Sequence, residues 1–390
     1  MHVKITRIAG AALALATAVS LVGCATNEVP QQPTSPAPGG ETTTTPTTDA
    51  PTALSGKLAG SGASSQGKAQ DAWIATFVNA NPGVSIAYEG GGSGAGRTAF
   101  VQGGVDYAGS DRALKTSELD DPATAFKLGA DVQPWGKCTP ESGIVQLPLY
   151  ISPIAIGYNL DGIENLNLDS STIAKIFSNT ITKWNDPAIV ALNPDVTLPD
   201  LAITPVHRST NSGTTENFTD YLKKTAPDAW PFDVSGDWPA DLTGGEGAAE
   251  TGDVASILSS GAGTIGYLDA SRAPGSTVSL KVGDQFVKYS PEGAAAVVAG
   301  SPLEDGRKPF DLAVTLDRNT TDPTHYPLVL ISYLIGCEKY ADANQGAMVK
   351  SFFSAIASAE GQALAAEQAG AAPISDELRA KVTAAIDVIS

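Results

Sequence analysis

Residues 203–221 read ITPVHRSTNSGTTENFTDY, and the rest of the chain is organised around them. Ile203 to Val206 is a short apolar run that suits the end of a buried strand. Arg208 follows at once, which places a guanidinium at the strand's carboxyl end. Small hydroxyl residues and one glycine fill 209–215, and then Phe218, Tyr221 and Leu222 recur at helical spacing. A strand, a small-residue turn and a new helix make an anion site, because free N–H groups at the helix start point outward and the dipole favours negative charge. Arg208 adds a planar fork able to hold two oxygens at once. Taken alone, the same residues also describe an ordinary capped helix beside a surface arginine. The neighbouring segments decide between the two.

Three of them repeat the pattern. Residues 60–65, GSGASS, precede a helix expected over 66–79 and marked by Trp73, Ile74, Phe77 and Val78. Residues 90–96, GGGSGAG, surround Ser93 between a strand at 84–88 and a short helix. Ser110 and Asp111 end a strand expected at 105–108. Ligands of open α/β sheets bind beyond the carboxyl ends of the strands. Four hydroxyl-bearing turns with one Arg and one Asp therefore describe a cage for a small oxyanion.

Further along, strands are expected at 147–158, 264–268, 277–282, 286–289 and 328–335, with the third and fourth forming a hairpin over Gly283 and Asp284. Helical pieces are expected at 170–177 and 187–192, and Ala-rich helices at 346–369 and 375–389. This alternation predicts an α/β body with mostly parallel sheets.

The amino terminus reads as a targeting segment. His2, Lys4 and Arg7 precede an apolar run that ends in Leu21-Val22-Gly23-Cys24. Small residues before a cysteine resemble a bacterial lipoprotein signal, in which Cys24 becomes the lipid-bearing N-terminus and 1–23 are removed; a plain secretory signal is the alternative. Residues 24–55 are rich in Pro, Thr, Ser and Gln and almost lack large apolar side chains, which predicts a disordered tether. The body beyond it belongs to a chain with 42% hydrophobic residues and a formal net charge of −18. The first figure supports a proper core, and the second argues against nucleic acid or an anionic membrane surface as partner. Cys138 and Cys337 are a candidate disulfide in an exported body, or else two unpaired buried thiols. His207 and His325 have no ligand-like spacing, so neither a metal nor a cofactor is expected.

Two motif matches fail. Residues 62–69, GASSQGKA, nearly spell a phosphate-binding P-loop, but Ala69 stands where a hydroxyl must hold magnesium. Ser93 lacks the last glycine of a nucleophile elbow, since Ala95 takes that place. An exported phosphatase or esterase using Ser93 or Ser212 is the alternative from another functional class, and it lacks an evident base.

The segments LAGSGASS (58–65), YEGGGSGAGR (88–97), VDYAGSDRAL (105–114), ISPIAIGYNL (151–160), ITKWNDPAIVALNP (181–194), VHRSTNSGTTENFTDYL (206–222) and GTIGYLDAS (263–271) resemble, in order, the phosphate-binding proteins of bacterial high-affinity phosphate ABC importers. The resemblance implies a two-lobed α/β fold of the periplasmic-binding-protein type II, or Venus-flytrap, class, with a hinge crossed twice. Lobe one would comprise 56–151 and 317–390, and lobe two 152–316. A Cys138–Cys337 bridge would then lie within lobe one. The implied partners are inorganic phosphate, a membrane-embedded permease and the membrane itself through Cys24. The implied state is a monomeric receptor on the outer face of the cell membrane, not an enzyme.

The resemblance also implies a ligand set. Ser64 and Ser93 give hydroxyls, Ser65 a backbone N–H, and Asp111 a carboxylate. Arg208, Ser212, Gly213 and Thr214 close on the anion from lobe two. A carboxylate beside an anion makes sense because phosphate carries a proton to donate and sulfate does not, which weighs against a receptor for sulfate or another oxyanion. Thr210 and Asn211 stand where the family usually has Asp and Gly, so Arg208 is expected to be held differently. Ser65 stands where Phe is frequent. Arg97 and Arg112 are expected to be solvated surface residues.

Overall fold

The computed structural model describes residues 53–390. The signal-like segment, Cys24 and nearly all of the tether lie outside the described residues.

Eleven strands follow one another: β1 (Gly56–Gly62), β2 (Val84–Glu89), β3 (Tyr107–Ser110), β4 (Ile144–Tyr158), β5 (Leu166–Leu168), β6 (Thr204–Arg208), β7 (Glu246–Ala248), β8 (Thr264–Asp269), β9 (Val278–Val282), β10 (Gln285–Val287) and β11 (Val329–Cys337). Eight make one sheet in the order β2-β1-β3-β11-β4-β8-β6-β7, and β10-β9-β5 make a small second sheet. The 278–287 pair is the expected antiparallel hairpin.

The large sheet is mixed rather than mostly parallel. Its two wings are parallel, β2-β1-β3 on one side and β8-β6-β7 on the other. The middle is antiparallel, because β11 opposes both β3 and β4, and β4 opposes β8. An unbroken apolar run shows that a strand is covered on both faces but says nothing of its direction. Every residue of β4 is buried. The strand pairs with β11 as far as Pro153 and with β8 from Ile154 onward, so one strand joins the two wings.

Helices cover both faces. Gly67–Ala80 packs its Trp73 and Phe77 inward, and Gly213–Thr225 does the same with Phe218, Tyr221 and Leu222. The expected single helix over 346–369 is two, Ala343–Ala357 and Ala359–Ala369. Ser358 breaks it by accepting the Gly361 N–H at 2.9 Å, a cap that an alanine-rich pattern hides. Cys138 and Cys337 are joined in a disulfide, with Cα atoms 5.4 Å apart, tying the loop before β4 to the end of β11. No described helix is long and apolar enough to cross a membrane.

Candidate anion-binding site

The carboxyl ends of β1, β3 and β6 converge. β1, β2 and β6 feed turns of small residues, β3 leads into Asp111, and three α-helices begin there: Ser93–Val101, Gly213–Thr225 and Thr251–Ser260. Their free N–H groups make the region favourable to anions before any side chain is counted. Close approach depends on Gly213. A Cβ there would lie 2.5 Å from Ser93 Oγ and 2.6 Å from Asp111 Cβ, so any other residue would push the wings apart.

Arg208 is only 3% exposed. Its Nε donates to the Ala249 carbonyl at 2.9 Å. Nη1 donates to Ser212 Oγ at 3.0 Å and to Ser64 Oγ at 3.3 Å. Nη2 donates to Ala249 and to Thr210 Oγ1. Thr210 in turn donates to Ala249 at 2.8 Å. Thr210 thus does hold the guanidinium, but as a neutral acceptor. Burial pushes the Arg208 guanidinium down from its ordinary value, and the Tyr267 phenol, Asp111, Glu250 and Asp253 pull it back. No carboxylate among the described residues forms an ion pair with it, so its charge is left for a ligand.

Asp111 is equally buried. Its Oδ1 accepts from Ser65 Oγ and Ser332 Oγ, both at 2.6 Å. Its Oδ2 accepts from Thr214 Oγ1 at 3.1 Å. Its backbone N–H donates to Ser93 Oγ at 3.1 Å, and its carbonyl accepts from Asn217 Nδ2 at 2.6 Å. Burial raises the carboxyl above its ordinary range, while Ser332, Ser65, Thr214 and the Arg208 charge oppose that rise. Ser212 caps its helix by accepting the Thr215 N–H at 3.3 Å.

The structure therefore brings Ser64, Ser65, Ser93, Asp111, Arg208, Ser212, Gly213 and Thr214 together. Ser65, expected to offer its backbone N–H, also donates its hydroxyl to Asp111. Arg97 and Arg112 are not solvated. Arg97 is 4% exposed and reaches Ser110 Oγ at 2.8 Å and Asn211 Oδ1 at 3.3 Å. Burial lowers its guanidinium to about 10. Arg112 pairs with Glu118 at 2.6 Å and Glu216 at 2.8 Å. Long-range folding supplied these partners, and no local pattern announces them.

Sequence reading missed Thr251, Tyr267, Asn217 and Ser332. Thr251 is buried and bonds to Ser64 Oγ through both its N–H (3.3 Å) and its hydroxyl (3.0 Å). Its helix start was legible as Glu250-Thr251-Gly252-Asp253, a capping box in which Asp253 accepts the Glu250 N–H. Tyr267 OH is hydrogen-bonded to Thr215 Oγ1 at 2.7 Å and accepts the Arg208 backbone N–H at 3.3 Å. Of the two body histidines, His207 bonds to the Arg208 backbone carbonyl at 3.0 Å. His207 stacks on Trp238 with ring centroids 4.5 Å apart, and His325 bonds Thr320.

Residues 43–360 match the PBP superfamily domain. Phosphate-binding protein PstS 2 of Mycobacterium tuberculosis is 33% identical over 339 residues, covering 86% of this chain and 87% of the relative. Phosphate-binding protein PstS of Xylella fastidiosa is 31% identical over 347 residues, with 87% of each covered. Among solved structures, the periplasmic phosphate-binding protein PfluDING, bound with phosphate, superposes with a TM-score of 0.63 at 22% identity, covering 84% of this chain and 93% of that one. A phosphate ABC transporter substrate-binding protein from Clostridium perfringens gives 0.56 at 19% identity, over 82% and 100%. These two likenesses concern the fold, which is the type II PBP-like α/β fold. By the superfamily match and the relatives together, the chain belongs to the PBP superfamily and, within it, to the phosphate-binding proteins of bacterial ABC transporters.

Proposed function

We propose that this chain is an extracytoplasmic receptor that captures inorganic phosphate in the cage between its two wings and delivers it to an ABC importer. The carrying observation is the pairing of an arginine that has no counter-ion among the described residues with a buried carboxylate that accepts hydrogen bonds. Hydroxyls and backbone amides replace the anion's water without adding full charges. Arg208 supplies the positive charge, and it clamps two oxygens once its Nη1 bonds to Ser64 and Ser212 and its Nη2 bond to Thr210 are exchanged for the anion. Asp111 accepts the proton that phosphate carries, and it would meet sulfate as an unpaired like charge.

The ligands are Ser64, Ser65, Ser93 and Asp111 on one side and Arg208, Ser212, Gly213 and Thr214 on the other. The lobes are 56–151 with 317–390, and 152–316, a division supported by the change of partner along β4. Hinge closure over the anion is the signal read by the permease. The receptor is monomeric and hangs from the membrane by lipid on Cys24, a reading that rests on the sequence. A receptor is favoured over a hydrolase because, among the described residues, His207 and His325 are hydrogen-bonded to the Arg208 carbonyl and to Thr320 rather than to Ser93 or Ser212.

Calorimetric titration of the chain from residue 56 onward, stripped of anion by unfolding and refolding, tests this reading. One-to-one phosphate binding undisturbed by excess sulfate is expected. Competition by sulfate, absence of heat with phosphate, or turnover of an aryl phosphate would overturn it.

A further inference from the structure

Asp111 stands at the end of a hydrogen-bonded series that reaches far behind the cage. A carboxylate offers about four acceptor positions. Ser65 and Ser332 take both positions on Oδ1, and Thr214 takes one on Oδ2. Ser332 has no freedom to turn its proton away, because its Oγ accepts from Gln66 Nε2 at 2.5 Å. Gln66 is oriented by Gln70, whose Nε2 donates to Gln66 Oε1 at 2.9 Å. Gln70 Oε1 in turn accepts from Tyr107 OH at 3.2 Å. Every bond points the same way, toward Asp111. Tyr107, Gln70, Gln66 and Ser332 are all fully buried.

Two glutamines, a tyrosine and a serine this deep are costly unless each polar group is satisfied. Bonds aligned in one direction also polarise one another, so the last donor is stronger than an isolated hydroxyl. Donors to a carboxylate favour its charged form. We propose that the buried series Tyr107–Gln70–Gln66–Ser332 keeps Asp111 an ionised acceptor with Oδ2 as its only position open to a ligand, and so carries the discrimination between phosphate and sulfate down to acid pH. This rests on the phosphate reading above and names the residues that make it selective.

The consequence follows from where a proton could go. With Oδ1 closed by two O–H donors, a neutral Asp111 would carry its proton on Oδ2. It would then donate to sulfate instead of repelling it. The charged and titratable groups around Asp111 pull in both directions. Arg208 and Arg97 favour the anion. Asp269, at the end of β8, and the Tyr88 phenol are the acidic groups coupled to it. Burial opposes ionisation, and the hydroxyl donors counter it. Ser332 and Gln66 are thus positioning residues, acting through Asp111.

The test is sulfate competition against phosphate in the anion-stripped protein, measured from pH 8 to pH 4.5. In Ser332→Ala the onset of sulfate binding is expected to move up by about one pH unit, or about tenfold in sulfate affinity at a fixed pH within that range. Ser332→Thr restores the hydroxyl and the original profile. Gln66→Met moves the onset in the same direction by less. The shift is expected to persist in an Asp269→Asn background, which removes a neighbouring carboxyl that burial pushes up to about 6. An unshifted Ser332→Ala profile, or a loss of phosphate affinity equal at every pH, overturns the proposal; if Ser332→Ala does not fold, the Gln66→Met profile decides. Failure of the unmodified protein to bind phosphate at pH 8 is a separate result, and it overturns the functional reading along with this one.

Discussion

Arg208 and Arg318 are both buried, at 3% and 2% exposure, yet they are held in opposite ways. Arg318 has a counter-ion. Its Nε pairs with Asp220 at 3.0 Å, Nη2 reaches Asn217 Oδ1 at 2.6 Å, and Nη1 caps the Pro327 and Val329 carbonyls. Its charge is spent inside the protein, where it pins the Gly213–Thr225 helix to β11. Arg208 is held as firmly, but only by hydroxyls and the Ala249 carbonyl. The difference shows how a protein stores binding energy: the guanidinium is oriented by dipoles and left unneutralised, so an incoming anion completes it. Arg112 and Arg307, each with two carboxylate partners, fall on the Arg318 side. Arg97 falls on the Arg208 side, bonded only to Ser110 and Asn211.

Four substitutions can break or sharpen this contrast. Arg208→Met should cost phosphate binding most, about 4 kcal/mol, as for truncating one member of a buried charge pair. Calorimetry would show it, and thermal melting of the anion-free protein should change little. Arg318→Met should do the reverse. It leaves Asn217 and the Pro327 and Val329 carbonyls without their buried donor, while Asp220 keeps Lys224, and should cost about 3 kcal/mol of stability in denaturant titration, with phosphate still preferred over sulfate. If both variants lost binding and stability alike, the contrast would be empty.

Asp269 is the acidic counterpart of Arg208, a buried carboxylate bonded to Tyr150 OH at 3.0 Å and to the Ser271 N–H at 2.9 Å, with no cation. Burial pushes it up to about 6 from an ordinary 3.8. The folded state therefore holds this proton more tightly than the unfolded chain. The resulting stability is fully present below about pH 4 and is lost as pH rises through about 6. Asp269→Asn should accordingly raise stability at pH 8 by up to about 3 kcal/mol, with the gain disappearing in melts below pH 4. The smallest effect concerns Thr210. Thr210→Asp would give Arg208 a counter-ion and turn it into a residue of the Arg318 kind. Phosphate binding should weaken by about 1–2 kcal/mol, within the range for unit charges about 4 Å apart. Tighter binding in that variant would show that Arg208 gains more from orientation than it loses by neutralisation.

Much of the site was legible because it is built from local turns. The strand–turn–helix at Arg208, the glycine-rich turn around Ser93 and the Ser-Asp pair at 110–111 each carry their chemistry in a few consecutive residues. What was missed came from elsewhere in the chain. Ser332 sits in the middle of an apolar strand and reads as filler until β11 places it beside Asp111. Arg97 reads as a surface cation until the turn carrying Asn211 covers it. Thr251 opens a helix that was not anticipated, and no nearby residue says where that helix points.

By itself, then, the sequence determined the α/β class, the turns that supply donors, and the residues able to clamp an oxyanion. Local spacing and turn chemistry suffice for those. Only the tertiary structure decided the antiparallel centre of the sheet and the joining of Cys138 to Cys337. It alone decided which arginines are neutralised and which are left charged. Those outcomes depend on which distant groups fall within hydrogen-bonding reach and on how far burial strips away water. Both are properties of the packed whole, which no stretch of consecutive residues encodes.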